Sequence, residues 1–153
     1  MGVIGFYESD TGKLVGTLTD QSLDEITSVC RMDTDVLIAT NSIGIISVLT
    51  MPPRITKFEK LLSVAHIDPE KPGSTYQLGI LTSAYSASLH RLFVSDDKQF
   101  LTCYNFDSLH SNIFGPTMDQ SSCKLAGGRR NAAKLDKYAN FKLEVMWCCR
   151  SHS

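Results

Sequence analysis

The sequence predicts an all-β protein, and three features point there. Apolar, β-prone residues come in runs of about five. The runs are separated by short polar turns, and their order recurs along the first two thirds of the chain. A helix needs ten or more periodic residues, which these runs do not reach.

The runs can be taken in order. Gly2-Val3-Ile4-Gly5-Phe6-Tyr7 alternates and ends at the turn residues Ser9-Asp10-Thr11-Gly12-Lys13, after which Leu14-Val15-Gly16-Thr17-Leu18 alternates again. Ile26-Thr27-Ser28-Val29-Cys30, Val36-Leu37-Ile38-Ala39-Thr40 and Ile45-Ile46-Ser47-Val48-Leu49 follow, joined by Met32-Asp33-Thr34-Asp35 and Asn41-Ser42-Ile43-Gly44. A shift of 55 without a gap lays these three runs on Leu81–Tyr85, Arg91–Ser95 and Phe100–Tyr104. Thr27/Thr82, Ser28/Ser83 and Leu37/Leu92 are then identical. The middle run is apolar at consecutive positions, as expected of a strand covered on both sides. A shift of 42 lays Gly2–Glu8 on Gly44–Thr50, so the chain opens on the third strand of a repeat. The fourth strand of the middle repeat is expected within Ile55–His66, before the loop Asp68–Ser74.

Tyr7-Glu8-Ser9-Asp10-Thr11-Gly12-Lys13-Leu14-Val15-Gly16-Thr17-Leu18, followed by Ile26-Thr27-Ser28-Val29, resembles the junction between blades of WD-repeat β-propellers. Ser95-Asp96-Asp97-Lys98 and Leu101-Thr102-Cys103-Tyr104-Asn105 resemble the hairpin and third strand of the next blade. The resemblance covers residues 2–109. It implies an incomplete propeller-like stack of antiparallel four-stranded blades and a scaffold that binds other proteins. The Trp-Asp positions of the family hold Tyr7-Glu8, Leu49-Thr50 and Tyr104-Asn105 here, and its Gly-His pair is missing before each inner strand. A closed propeller takes four to eight blades of about 40–45 residues. The repetitive part therefore supplies about two to three blades, and the missing ones are expected from a longer chain or from self-association.

Two domains are expected: residues 1–116 as the propeller segment and 117–153 as an irregular C-terminal tail. Charge divides them as well. Residues 1–109 hold 8 Lys and Arg against 13 Asp and Glu, a net −5, while residues 110–153 hold 7 against 3, a net +4. Asn112-Ile113-Phe114-Gly115-Pro116 is expected to complete an outer strand. Asp119–Asn131 reads as loop or disorder. Ala132–Met146 fits a short helix, and Phe141–Trp147 fits a strand; the two readings compete.

Candidate chemistry is sparse. Thr11-Gly12-Lys13 lacks the earlier glycine of a phosphate loop, since Tyr7 stands there, and reads as a hairpin turn. Asp96-Asp97 are neighbours on a strand and point to opposite sides, which suits a turn better than an acid–base pair. Cys123, Cys148, Cys149 and His152 offer soft ligands without the paired knuckles of a structural zinc site. Cys30 and Cys103 read as buried small hydrophobes. His66, His90, His110 and His152 have no nucleophile motif beside them. Gly127-Gly128-Arg129-Arg130 with Lys124, Lys134 and Lys137 forms a modest basic cluster, read as a solvated tail more readily than as a contact for nucleic acid or acidic lipid.

The expectation is thus a protein that is no enzyme, with no catalytic, cofactor-binding or metal-binding residues, and with protein partners; the alternatives are a fragment of an enzyme built on a propeller, or nucleic-acid or acidic-membrane contact through the basic tail. Met1–Glu8, with no basic leader and an early acid, is not expected to act as a signal peptide, and the sequence contains no 18-residue apolar run. Five irregularly spaced cysteines and no Asn-x-Ser/Thr acceptor suit the cytoplasm or nucleus.

Overall fold

A computed structural model describes residues 2–20, 23–50, 59–115 and 141–150. Ten strands and one helix lie within them: β1 (Gly2–Tyr7), β2 (Leu14–Asp20), β3 (Ile26–Asp33), β4 (Val36–Asn41), β5 (Ile45–Thr50), β6 (Glu59–Ala65), β7 (Ile80–Ser86), β8 (Arg91–Asp96), β9 (Phe100–Asn105), α1 (Asp107–Phe114) and β10 (Glu144–Arg150). The protein is all-β. Its strands form three antiparallel sheets, ordered β1-β2, β3-β4-β5-β6 and β7-β8-β9-β10. Each strand pairs with its neighbour in sequence, as hairpin-connected chains do.

The sheets stack face to face because the central strands β4 and β5 of the middle sheet carry apolar residues on both sides. Val36, Ile38, Ile46 and Val48 point one way and meet Ile80, Leu92, Val94 and Tyr104 of the third sheet. Leu37, Ala39 and Leu49 point the other way and meet Ile4, Phe6 and Leu18 of the first. β4 and β5 are accordingly buried almost throughout. β6 falls inside the expected Ile55–His66 window.

The repeat is visible in strand pairing. The β1–β2 ladder shifts register between Phe6 and Tyr7, and the β5–β6 ladder shifts between Val48 and Leu49, which are 42 residues on. β1 and β2 thus reproduce the outer half of the middle sheet, and the first sheet lacks the counterparts of β3 and β4 among the described residues.

The 55-residue register needs one correction. β4 and β5 match β8 and β9 at 55: Leu37 pairs with Leu49 and Leu92 with Tyr104. The inner strands match at 54. Ile26 pairs with Asn41, and Ile80 pairs with Asp96, at the same rung. The turn accounts for the lost residue. β3 bulges between Arg31 and Asp33 and returns through Thr34-Asp35, whereas β7 is regular there and returns through Ala87–His90. A bulge and a longer turn are alternative ways of reaching the next strand. Thr27/Thr82 and Ser28/Ser83 are therefore not equivalent, although they are identical in sequence.

A second correction concerns the expected outer strand over Asn112–Pro116. Residues 107–114 are helical, and Pro116 lies outside the described residues. Phe106 and Leu109, both fully buried, pull this segment across the end of the core between the two large sheets. Asn105 Oδ1 accepts from the Asp107 amide at 2.9 Å, and the Gly115 amide donates to the Ser111 carbonyl at 2.8 Å, closing the two ends. The outer strand of the third sheet is instead β10, drawn from the segment read as a tail. Of the two competing readings, the strand is adopted over Glu144–Arg150, and residues 132–140 of the helix reading lie outside the described residues. Asp119–Asn131 and the basic cluster lie outside the described residues.

Candidate functional site

Alternating strand direction sends β4–β5, β6–β7 and β8–β9 to one end of the stack. The opposite end holds β3–β4, β7–β8 and the start of α1.

The first end is tied together by turns. Asn41 and Asp96 open equivalent hairpins, and each uses its side chain as a local acceptor. Asn41 Oδ1 accepts from the Ile45 amide at 2.7 Å, and Asp96 Oδ1 accepts from the Phe100 and Lys98 amides, each at 3.0 Å. Gly44 and Gln99 close these hairpins with φ of 86° and 68°. At Gly44 only glycine fits, because a Cβ would overlap the Leu78 carbonyl oxygen of the neighbouring loop.

Between these hairpins lies a buried relay. His66, just past β6, holds Asp96 Oδ2 at 2.9 Å through Nε2 and the Tyr104 hydroxyl at 2.6 Å through Nδ1. All three side chains are buried. One tautomer satisfies the set: Nε2–H donates to the carboxylate and Nδ1 accepts from the phenol. Burial, and then the nearby Asp96 charge, pushes the Tyr104 phenol well above its ordinary range. A carboxylate–imidazole–hydroxyl sequence is also the geometry that activates a nucleophile. Here the hydroxyl is enclosed in the core, and the relay joins the β6–β7 connection to the third sheet.

The loop between His66 and β7 is held from the same side. The His66 amide donates to Gly44 O, Leu78 N donates to His66 O, and Asp97 N donates to Gly79 O. Lys98 Nζ donates to the buried Asp68 carboxylate at 2.8 Å and sits over the Tyr76 ring. The Lys98 hydrogen bond holds the Asp68 carboxyl below its usual range, and Asp68 raises Lys98 in return.

The opposite end carries an open titratable cluster. The rings of His90 and His110 stack with centroids 3.9 Å apart. Asp107 accepts from Arg91 at 2.9 Å and lies 3.3 Å from His90 Nδ1. The Arg91 hydrogen bond keeps the Asp107 carboxyl below its ordinary value. Burial and the His90 charge depress His110, while Asp33 and Asp107 pull it up. Beside this cluster the Tyr85 hydroxyl is buried without a partner among the described residues. Burial, followed by the Asp107 and Asp33 charges, pushes its pKa up to about 12.

The residues weighed from sequence fall as follows. Thr11-Gly12-Lys13 is a hairpin turn: Gly12 has φ of 66°, its amide donates to Glu8 O, and Thr11 Oγ1 donates to the Glu8 carboxylate at 2.6 Å. Asp96 and Asp97 diverge as strand geometry requires, with Asp97 Oδ2 accepting from Gly79 N at 3.3 Å. Asp96 is nonetheless more than a turn residue, since it anchors the relay. Cys103 is buried; Cys30 is half-buried, and its thiol meets the Ser83 carbonyl at 3.2 Å. Cys148 and Cys149 are exposed on β10, where their neighbours Thr102 and Leu101 lie on opposite sides of the sheet. Cys123 and His152 lie outside the described residues, and no metal-holding cluster occurs within them. His66, His90 and His110 were weighed in the sequence, but their partners, which lie 20 to 38 residues away, could not be placed from it.

Fold and site together define an all-β protein of stacked antiparallel sheets, with a buried polar relay at one end. No helix among the described residues is long and apolar enough to cross a membrane. No family model matches the chain. The chain is similar to the cilia- and flagella-associated protein 337 B of Tetrahymena thermophila, at 22% identity over 198 aligned positions. The alignment takes in 99% of this chain and 16% of that protein, so the chain spans a small part of its relative's length.

Proposed function

We propose that the chain is a segment of a WD-repeat-like β-propeller and serves as a non-enzymatic scaffold for protein–protein contacts. The observation that carries this reading is the repetition of whole sheets. Two four-stranded meanders, and a two-stranded copy of their outer half, are stacked so that their turns gather at the two ends. Turns on a rigid stack present a binding surface without a reactive side chain. The His66–Asp96–Tyr104 relay lends further support. It stands between a strand connection and the next sheet, and its member Tyr104 holds one of the family's Trp-Asp positions. The setting proposed is a cytoplasmic scaffold inside a longer protein, the chain aligning with 16% of its relative's length.

The test uses exposed apolar residues in the turns at the relay end, Ile43 and Tyr76. Proximity labelling is compared between the full chain and an Ile43→Ser/Tyr76→Ser variant with unchanged circular dichroism. Loss of a defined protein set from the variant is expected. An unchanged set would exclude this end as the binding surface. Turnover of a small ester or phosphate substrate that vanishes in His66→Gln would replace the scaffold reading with an enzyme.

A further inference from the structure

The outward sides of the first and third sheets are built like the inward ones. In the third sheet, Phe93 and Ser95 of β8 and Leu101 and Cys103 of β9 alternate with Leu92, Val94, Thr102 and Tyr104, which pack against or face the middle sheet. They therefore point away from it. They occupy the positions of Ile38, Thr40, Ile46 and Val48, and all four of those are buried beneath the third sheet. Trp147 of β10 joins this outer side beside Phe93, with ring centroids 6.1 Å apart. Leu101 is 37% exposed and Trp147 45%. Cys103 is buried on this side, Phe93 and Ser95 are half-buried, and Leu101 and Trp147 are the exposed members of the set.

The first sheet offers the complementary side. Val3, Gly5 and Tyr7 alternate with Ile4 and Phe6, which pack on the middle sheet. They occupy the positions of Ile45, Ser47 and Leu49, the side on which the middle sheet receives the first. Val3 is 56% exposed and Tyr7 65%. Thr17 and Thr19 of β2 pair with Gly5 and Val3 on the same side. The first-sheet set holds no charged side chain; on the third sheet Arg91, at the position of Val36, and Glu144, paired with Asn105, lie on the same outward side at one end, where Arg91 donates to Asp107 and Asn105. The stack already makes this union twice, first sheet onto second and second onto third.

We propose that the chain associates head to tail with a second copy of itself, the outer side of the third sheet receiving the outer side of the first sheet of the next copy. The two surfaces differ, so the contact is heterologous and propagates into rings or filaments unless it is blocked. Flat apolar sheet surfaces of this kind favour association over exposure to water. The inference needs only the stacked sheets. The scaffold reading concerns the turns, so either can fail without the other.

Analytical ultracentrifugation of the full chain and two variants tests the proposal. Leu101→Glu blocks the third sheet, and Thr19→Lys blocks the first; both sites are exposed, and circular dichroism verifies the fold. Wild type is expected to sediment as concentration-dependent oligomers, and each variant alone as a monomer. An equimolar mixture of the two is expected to give a 1:1 dimer with about twice the monomer mass, since each supplies the surface the other lacks. A monomeric wild type would overturn the proposal. So would a variant that still self-associates alone, which would indicate contact between like surfaces. A mixture that remains monomeric would do the same. Should Leu101→Glu lose its β signal, Trp147→Glu on the edge strand takes its place with the same expected outcomes.

Discussion

Replacing Asp96 by alanine removes the acceptor on which the relay converges. Its Oδ2 accepts from His66 Nε2 at 2.9 Å, and its Oδ1 accepts from the Phe100 amide at 3.0 Å; both contacts are buried. The third donor, the Lys98 amide, is partly buried and has access to water. A buried donor left unpaired costs about 1–3 kcal/mol. Two such donors put the loss at about 2–6 kcal/mol, a large share of the roughly 5–15 kcal/mol that holds a domain together. Asp96→Asn should be much milder. Asparagine keeps Oδ1 for the two amides, as Asn41 does at the equivalent hairpin. Its amide group can donate to His66 Nε2 if the imidazole changes tautomer and donates from Nδ1 to the Tyr104 oxygen. A cost of about 1 kcal/mol is expected. Tyr104→Phe strands one acceptor and should fall at the low end of about 1–3 kcal/mol. Urea denaturation followed by circular dichroism at neutral pH measures all three. If alanine and asparagine cost the same, or alanine costs under about 1 kcal/mol, the relay does not hold the β6–β7 connection.

Other substitutions read different parts of the stack. Leu92→Ala should cost about 2–5 kcal/mol, and Leu37→Ala clearly less, because Leu92 is covered by a four-stranded sheet and Leu37 by a two-stranded one; equal costs in denaturant melts would contradict the half-sheet. Gly12→Ala should lose about 1–2 kcal/mol for its φ of 66° in open space, and Gly44→Ala more, since its Cβ must also displace the Leu78 carbonyl. Tyr85→Phe removes a buried hydroxyl that has no partner among the described residues and should leave the melting temperature unchanged or raised; a clear drop would reveal a partner. His110 is depressed, so the unfolded chain binds its proton more readily than the folded one. That contribution to stability is present above about pH 6.5 and lost as pH falls through the folded value. A His110→Gln variant should show a flatter stability profile across that window.

The strands were legible because their evidence is local. A run such as Val36–Thr40 or Arg91–Ser95 states its length, its turn residues and its double coverage without any distant partner. The two shifts, 42 and 55, located the outer and middle strands for the same reason: one residue of apolar spacing maps onto one residue of strand. The inner strand escaped by one position, because a bulge in β3 and a longer turn after β7 exchange a residue between ladder and loop. Identity at Thr27/Thr82 could not reveal that; only the pairing of Ile26 with Asn41 and of Ile80 with Asp96 does. The end of the helix Asp107–Phe114 falls where Asn112–Pro116 was expected to complete an outer strand. What decides it is burial of Phe106 and Leu109 across the end of the core. β10 had equal local claims to helix and strand, and the free edge of β9 resolves them in favour of the strand.

By itself, then, the sequence determined the strand lengths, the turns and the stacking of doubly covered sheets, all of which depend on residues within a few positions of one another. Tertiary structure alone decided the relay and the titratable cluster. His66 has no marker in its own neighbourhood. It becomes part of a relay only when folding carries Asp96 and Tyr104, 30 and 38 residues on, to its two ring nitrogens. The same holds for His90 and His110, whose stacking depends on α1 turning back over the β7–β8 turn. Side chains meet across loops according to where the backbone goes, and pattern along the chain records only where it starts.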